Sequence, residues 1–219
     1  YAPYAMSAMV DADSYSIPEP ATYREAMESK HSEQWKQGCD DEIASLHQNN
    51  TWTLVDIPPG VDPIDLKWVF KVKRDGSGQL ERSKARVVAK GFMQQEGIDF
   101  DEVYAPVSKY TTFRSLMAIA AAEDLEIQQL DVKTAFLQGE LAEQVYVNQP
   151  EGYEEGGPGK CYLLHKAIYG LKQAPRTWHQ RLHAELSNLG LTASEADAGL
   201  YTYNTKQESI YLLVYVDDI

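Results

Sequence analysis

Cysteine is nearly missing from this chain. Only Cys39 and Cys161 occur among 219 residues, too few for a disulfide framework, which fits a reducing compartment. Long hydrophobic runs are missing too. The longest apolar stretch, Leu116 to Ala122, falls far short of the roughly 20 residues of a membrane-spanning helix and suits a deeply buried helix instead. No initiator Met and no signal-peptide pattern open the sequence. Positive charge is scarce, with 20 Lys and Arg against 33 Asp and Glu and a net charge of −13, at first sight wrong for a nucleic-acid binder. Internal repeats are absent, and the only low-complexity tract is Gly156-Gly157-Pro158-Gly159. No glycine-rich phosphate loop leads into Lys-Ser or Lys-Thr, and no Gly-x-Ser-x-Gly elbow appears. His179 and His183, four apart, share a helix face. No Glu or Cys completes a zinc site, and Gln180 stands where a zinc protease needs its base, so surface or interface histidines are the simpler reading.

Among the features present, the charge distribution says more than the total. Between Lys67 and Lys90 lie eight basic residues (Lys67, Lys71, Lys73, Arg74, Arg82, Lys84, Arg86, Lys90), opposed only by Asp75 and Glu81. A local basic patch can hold phosphates on an acidic background, because salt screens distant charge. At the other end, the β-prone run Ile210-Tyr211-Leu212-Leu213-Val214 leads into Tyr215-Val216-Asp217-Asp218-Ile219. Taken alone, an Asp-Asp pair is most often a solvated turn. Two acids at the tip of a buried strand, with nothing basic nearby in sequence, are instead relieved by a divalent ion, and Mg²⁺ takes carboxylate and phosphate oxygens together.

Aromatic content, led by 14 Tyr, indicates a folded chain, and the length suits one large domain or two small ones. Residues 1–20 read as a linker or extended arm. Thr22-Tyr23-Arg24-Glu25 is a capping box opening a helix to about His47, with Met27, Trp35, Cys39, Ile43 and Leu46 as its apolar stripe. Trp52–Val55 is a short strand. Trp68–Lys73 and Ala85–Ala89 flank the turn Asp75-Gly76-Ser77-Gly78 as a hairpin. Its alternation sends Phe70 and Val72 to one face and Lys71 and Lys73 to the other, and with Arg86 and Lys90 it projects cations toward one ligand. Thr112 caps a deeply buried helix from Phe113 to about Asp124. Ile127–Val132 is a strand bearing Asp131. Further strands fall at Gln144–Asn148 and Cys161–His165, and a helix runs from Pro175 to before Gly190.

These segments occur as ordered blocks. Lys67-Trp68-Val69-Phe70-Lys71-x-Lys73 is followed by Lys84-Ala85-Arg86-Val87-Val88-Ala89-Lys90-Gly91-Phe92. Then come Gln129-Leu130-Asp131-Val132-Lys133-Thr134-Ala135-Phe136-Leu137-x-Gly139, Tyr169-Gly170-Leu171-Lys172-Gln173-Ala174-Pro175-Arg176-x-Trp178 and Tyr215-Val216-Asp217-Asp218. From about Thr22 to Ile219 the chain resembles the reverse transcriptase of copia-type LTR retrotransposons. The resemblance implies an α+β right-hand polymerase fold. The N-terminal helix and fingers would occupy residues 21–110, and the palm residues 111–219 with an antiparallel sheet backed by helices and no thumb. It implies RNA-directed DNA polymerisation with two Mg²⁺ ions (Mn²⁺ as substitute) held by Asp131, Asp217, Asp218 and the Val132 carbonyl. The two acids of the pair reach the ions together only if the chain turns sharply there. Arg86, with Lys71 or Lys73, would contact the incoming dNTP. Phe136 would screen its sugar, with core packing as the alternative role. Gln173 would border the sugar and template base. Lys172, Arg176, Trp178 and Tyr215 would touch template or primer.

The implied partners are an RNA or DNA template with primer, dNTP and the rest of a Pol polyprotein, integrase upstream and RNase H downstream, with no membrane. The implied location is a cytoplasmic virus-like particle or the nucleus. The chain reads as an internal piece of that polyprotein, stopping before the strand that returns from Asp218. Loss of that strand is expected to leave an open sheet edge and withdraw support from the turn. The alternative function is a non-catalytic remnant that binds nucleic acid or a protein partner.

Overall fold

The computed structural model describes residues 17–77, 79–205 and 209–219. Most of the expected arm, residues 1–16, lies outside the described residues, as do Gly78 of the hairpin turn and residues 206–208. Residues 17–20 run along the hairpin, where Glu19 accepts hydrogen bonds from Lys71 Nζ at 2.5 Å and Val72 N–H at 3.0 Å.

Helix α1 spans Tyr23–Glu28 and α2 spans Ser32–Gln48. The Thr22 half of the capping box is present, with Thr22 Oγ1 accepting from Glu25 N–H at 3.2 Å, while the Glu25 carboxylate accepts from Ala21 N–H, one residue before the N-cap, at 2.9 Å. The single helix expected to His47 is broken, because the Ser29 hydroxyl donates to Ala26 O at 2.9 Å and accepts from His31 N–H at 3.2 Å. Such local side-chain bonds compete with the helical ladder. Strand β1 is Trp52–Asp56, β2 Leu66–Arg74 and β3 Leu80–Ala89. Helix α3, Tyr110–Glu123, precedes β4, Glu140–Val147, and β5, Lys160–Lys166. Helix α4, Ala174–Asn188, leads to β6, Thr192–Ala193, β7, Leu200–Asn204, and β8, Ser209–Leu213.

All strand pairing between these elements is antiparallel, in sheets ordered β1-β5-β4, β2-β3 and β6-β7-β8. This mixed helix and antiparallel-sheet composition is of the α+β class. The larger core lies under the hairpin. Trp35 and Phe70 meet edge to face at 5.4 Å, and Trp68, Val87, Val147, Leu164 and Ile168 are buried around them. Helix α2 lies hard against β3, since a Cβ on Gly38 would sit 2.9 Å from Ser83 O. The smaller core comprises Ala135, Trp178, Leu182, Leu186, Tyr201 and Val214, and Phe136 packs against both.

Several expectations are corrected. Helix α3 buries only Ala120, while Phe113 and Ile119 are exposed. Its N-cap is Lys109, without a side-chain cap bond, and Thr112 instead donates to Asp197 Oδ2 at 2.5 Å. Asp197 also accepts from Lys109 N–H at 2.8 Å, so a distant carboxylate ties down the helix start. Ile127–Leu130 forms no strand, and Ile127 and Leu130 are exposed. The run leading to the acids is only partly buried, since Ile210 and Tyr211 are exposed on β8 while Val214 is buried in the smaller core.

Candidate active site

The expected sharp turn is present. Tyr215 N–H donates to Asp218 O at 2.8 Å and Asp218 N–H to Tyr215 O at 3.1 Å, closing a tight loop over Val216 and Asp217. Val216 has φ 60°, a left-handed conformation that is strained for a β-branched residue. The buried Trp178 indole N–H donates to Val216 O at 2.7 Å and holds the turn from α4. Asp131 forms an antiparallel bridge to Asp218. Val132 N–H bonds Asp217 O at 3.0 Å, and Leu130 and Ile219 exchange bonds at 2.8 and 2.9 Å. Support for the turn, expected to be withdrawn, therefore comes from Trp178 and from residues 130–132. Thr134, three residues after Asp131, is also left-handed at φ 56°. Strained β-branched residues thus adjoin both acidic segments.

A cleft of about 330 Å³ brings the two ends of the charge pattern together. Arg82, Lys84 and Arg86 from β3 line it, along with Asp131, Val132, Tyr169 and Asp217. The antiparallel register pairs Lys71 with Lys84 and Lys73 with Arg82, so these four cations share one face of the hairpin. Burial lowers the Lys84 pKa, and repulsion from Arg86, Arg82 and Lys73 lowers it further against the opposing pull of Glu42. A cationic cluster that destabilises its own charge is suited to a polyanion. The sequence places Arg82 and Lys84 in the basic segment but ahead of the expected second strand, and the observed register is what sets them opposite Lys73 and Lys71. Lys71 itself pairs with Glu19. Lys90 does not join the cluster, because it pairs with Asp65 at 2.9 Å.

The remaining candidates divide. The Arg86 guanidinium lies 4.6 Å over the Tyr169 ring, and Tyr169 meets Phe136 edge to face at 4.7 Å. Gln173 is buried, its Oε1 accepting from Gln94 at 2.9 Å and its Nε2 donating to Asp99 O at 2.8 Å. Lys172 donates to Gln94 O at 3.2 Å and lies over the Phe100 ring, and Arg176 pairs with Glu102 at 2.7 Å. Tyr215 is exposed. Only Asp131, Val132, Asp217 and Arg86 of the sequence candidates line the cleft. His179 and His183 lie ring to ring 6.2 Å apart, and His183 Nδ1 bonds the Tyr201 hydroxyl at 3.1 Å.

Asp131 and Asp217 supply the hard oxygens that Mg²⁺ takes. Asp218 is exposed outside the cleft lining, and among the described residues no three Asp, Glu, His or Cys side chains converge as a metal cluster. The donor type therefore fits the ion, while the full triad is not gathered.

Asp131 and Asp217 thus face the cationic hairpin across one cleft. Residues 49–219 match the family model described as reverse transcriptase (RNA-dependent DNA polymerase). The chain is 43% identical over 203 residues to the retrovirus-related Pol polyprotein from transposon TNT 1-94 of Nicotiana tabacum, covering 92% of this chain and 15% of that protein. Those from transposons RE2 and RE1 of Arabidopsis thaliana are 41% and 39% identical over 90% and 99% of this chain, each across 14% of its own length. The chain belongs to the reverse transcriptase family of copia-type retrotransposon Pol polyproteins. It spans about one seventh of the length of these curated relatives. Among the described residues no helix is long and apolar enough to cross a membrane.

Proposed function

We propose that this chain is the catalytic core of an RNA-directed DNA polymerase that adds dNTP to a primer 3′-hydroxyl on a nucleic-acid template. Residues 21–110 act as fingers and residues 111–219 as palm of a right hand. The observation that carries this reading is the single cleft shared by Asp131, Asp217 and the cations Arg82, Lys84 and Arg86. Asp131, Asp217, Asp218 and the Val132 carbonyl would hold two Mg²⁺ ions. When bound, the ions lower the pKa of the attacking hydroxyl and steady the leaving pyrophosphate.

The chain's own residues supply the rest. Arg86 and Lys84 grip the triphosphate, with Lys73 beside them. Phe136 excludes a ribose 2′-hydroxyl by bulk. Trp178 fixes the turn that carries Asp217. The polymerase works within a longer Pol polyprotein, alongside integrase and RNase H, in a virus-like particle or the nucleus.

Primer extension by the full-length polyprotein on an RNA template tests this. Asp217→Asn is expected to abolish extension while leaving template binding nearly intact, and surviving extension refutes the assignment. The isolated chain is expected to give little extension. A second reading, a non-catalytic nucleic-acid-binding module, is favoured by Asp218 lying outside the cleft lining. It predicts template binding with no extension even from the full-length protein.

A further inference from the structure

Tyr169 is a cleft residue that the polymerase chemistry does not use directly. It follows β5, and its backbone carbonyl accepts from Ala89 N–H at 2.8 Å, which stitches it to the end of β3. The join is tight: Gly170 has φ +92°, and a Cβ there would lie 2.1 Å from Ala89 O. The backbone that carries the ring is therefore held in place. One side of it carries the Arg86 guanidinium at 4.6 Å, and Phe136 abuts it at 4.7 Å. Burial raises the Tyr169 pKa, and the charges of Asp217, Glu42 and Asp131 add to that while Arg86 opposes them. The neutral phenol thus sits between the cationic and acidic walls.

We infer that Tyr169 is a positioning residue that couples the triphosphate-binding Arg86 to the sugar-screening Phe136, so that phosphate grip and sugar discrimination are set together. This rests on the polymerase reading of Arg86 and Phe136. Physically, the ring face orients a guanidinium that would otherwise sample many rotamers. The edge contact with Phe136 limits where the gate ring can move. Strain or loosening at either neighbour is passed through one rigid aromatic plane. Glu42 completes the surround, bonded to Val87 N–H at 3.1 Å next to Arg86.

Calorimetric titration of the 219-residue chain with inorganic tripolyphosphate, dGTP and GTP in EDTA tests the inference without a metal contribution. Tyr169→Leu is expected to weaken tripolyphosphate about tenfold, the scale of a partly desolvated cation–π contact. It should also draw the dGTP and GTP affinities together. Tyr169→Phe, which keeps the ring, should restore both. Phe136→Leu should weaken tripolyphosphate as well, although that probe has no sugar. A folded Tyr169→Leu chain with unchanged tripolyphosphate affinity overturns the inference. If that variant does not fold, Phe136→Leu decides alone, and an unchanged tripolyphosphate affinity overturns it. Arg86→Ala separates the premises: if it binds tripolyphosphate like wild type, the triphosphate reading of Arg86 fails and the inference with it. Loss in Arg86→Ala with no change in Tyr169→Leu leaves the polymerase reading standing and sinks only the coupling.

Discussion

Beneath the hairpin, Trp35, Trp68 and Phe70 pack ring against ring, and α2 is pressed onto β3 at Gly38. Beneath the acidic turn, the core is the short series Ala135, Trp178, Leu182, Leu186, Tyr201 and Val214, and α3 leaves Phe113 and Ile119 exposed. The cationic wall of the cleft thus stands on a deep aromatic platform. The acidic wall stands on a thin one, kept in shape by a few directed bonds. Burial stabilises in proportion to apolar area, so the hairpin side should resist perturbation that the turn side does not. Regions that open locally are those with few buried contacts.

Three perturbations can break or sharpen that contrast. The largest effect is expected from Trp35→Ala, at about 3–5 kcal/mol of unfolding free energy for an aromatic deletion in a packed core. Leu186→Ala in the smaller cluster should fall near the low end of the roughly 2–5 kcal/mol range for such deletions, below the like-for-like Leu46→Ala in the larger cluster. Urea denaturation followed by circular dichroism compares them, and the reverse order would dismiss the contrast. Next, Trp178→Phe keeps an aromatic side chain but removes the indole N–H that holds Val216 O. It should cost about 1–2 kcal/mol and accelerate hydrogen exchange at Val216 to Ile219, with hairpin amides unaffected. Equal acceleration in β2 and β3 would mean that the two regions open as one.

The smallest effect is one of pH. Burial, then the adjacent His183, lowers the His179 pKa below its ordinary 6.5. The unfolded chain therefore binds more protons in mild acid. The stability contribution is complete above 6.5 and declines as pH falls from there toward the lower folded value. Exchange protection in α4 and β7 should drop between pH 7.5 and 5.5 more than in the hairpin, and His179→Leu should remove the difference.

The hairpin was legible because its signal is local. Alternation in Lys67-Trp68-Val69-Phe70-Lys71-Val72-Lys73 states which side chains share a face, and the glycine-bearing turn sets the partner strand. The capping box at Thr22 and the Pro175 and Gly190 limits of α4 were readable for the same reason. The break at Ser29 falls where the apolar stripe lapses, since residues 28–34 between Met27 and Trp35 are all polar, so the sequence does carry a signal for it. The apolar composition of α3 does not bury it, because composition says that a surface is apolar, not that a partner covers it. Trp178 read as a nucleic-acid contact from its neighbours. Its indole instead turns inward to a carbonyl 38 positions away.

Chain order alone determined the family blocks, the cation cluster and the presence of an acid at 131 and two more at 217 and 218. Each depends on residue type and spacing, which no packing can alter. Tertiary structure decided which charges meet. It admitted Arg82 and Lys84 to the cleft and diverted Lys90 to Asp65, and it left Asp218 exposed outside the cleft lining. Those outcomes depend on register, on a backbone strained at Val216 and on distant partners such as Trp178. They are properties of contacts between segments far apart in sequence, and no local pattern encodes them.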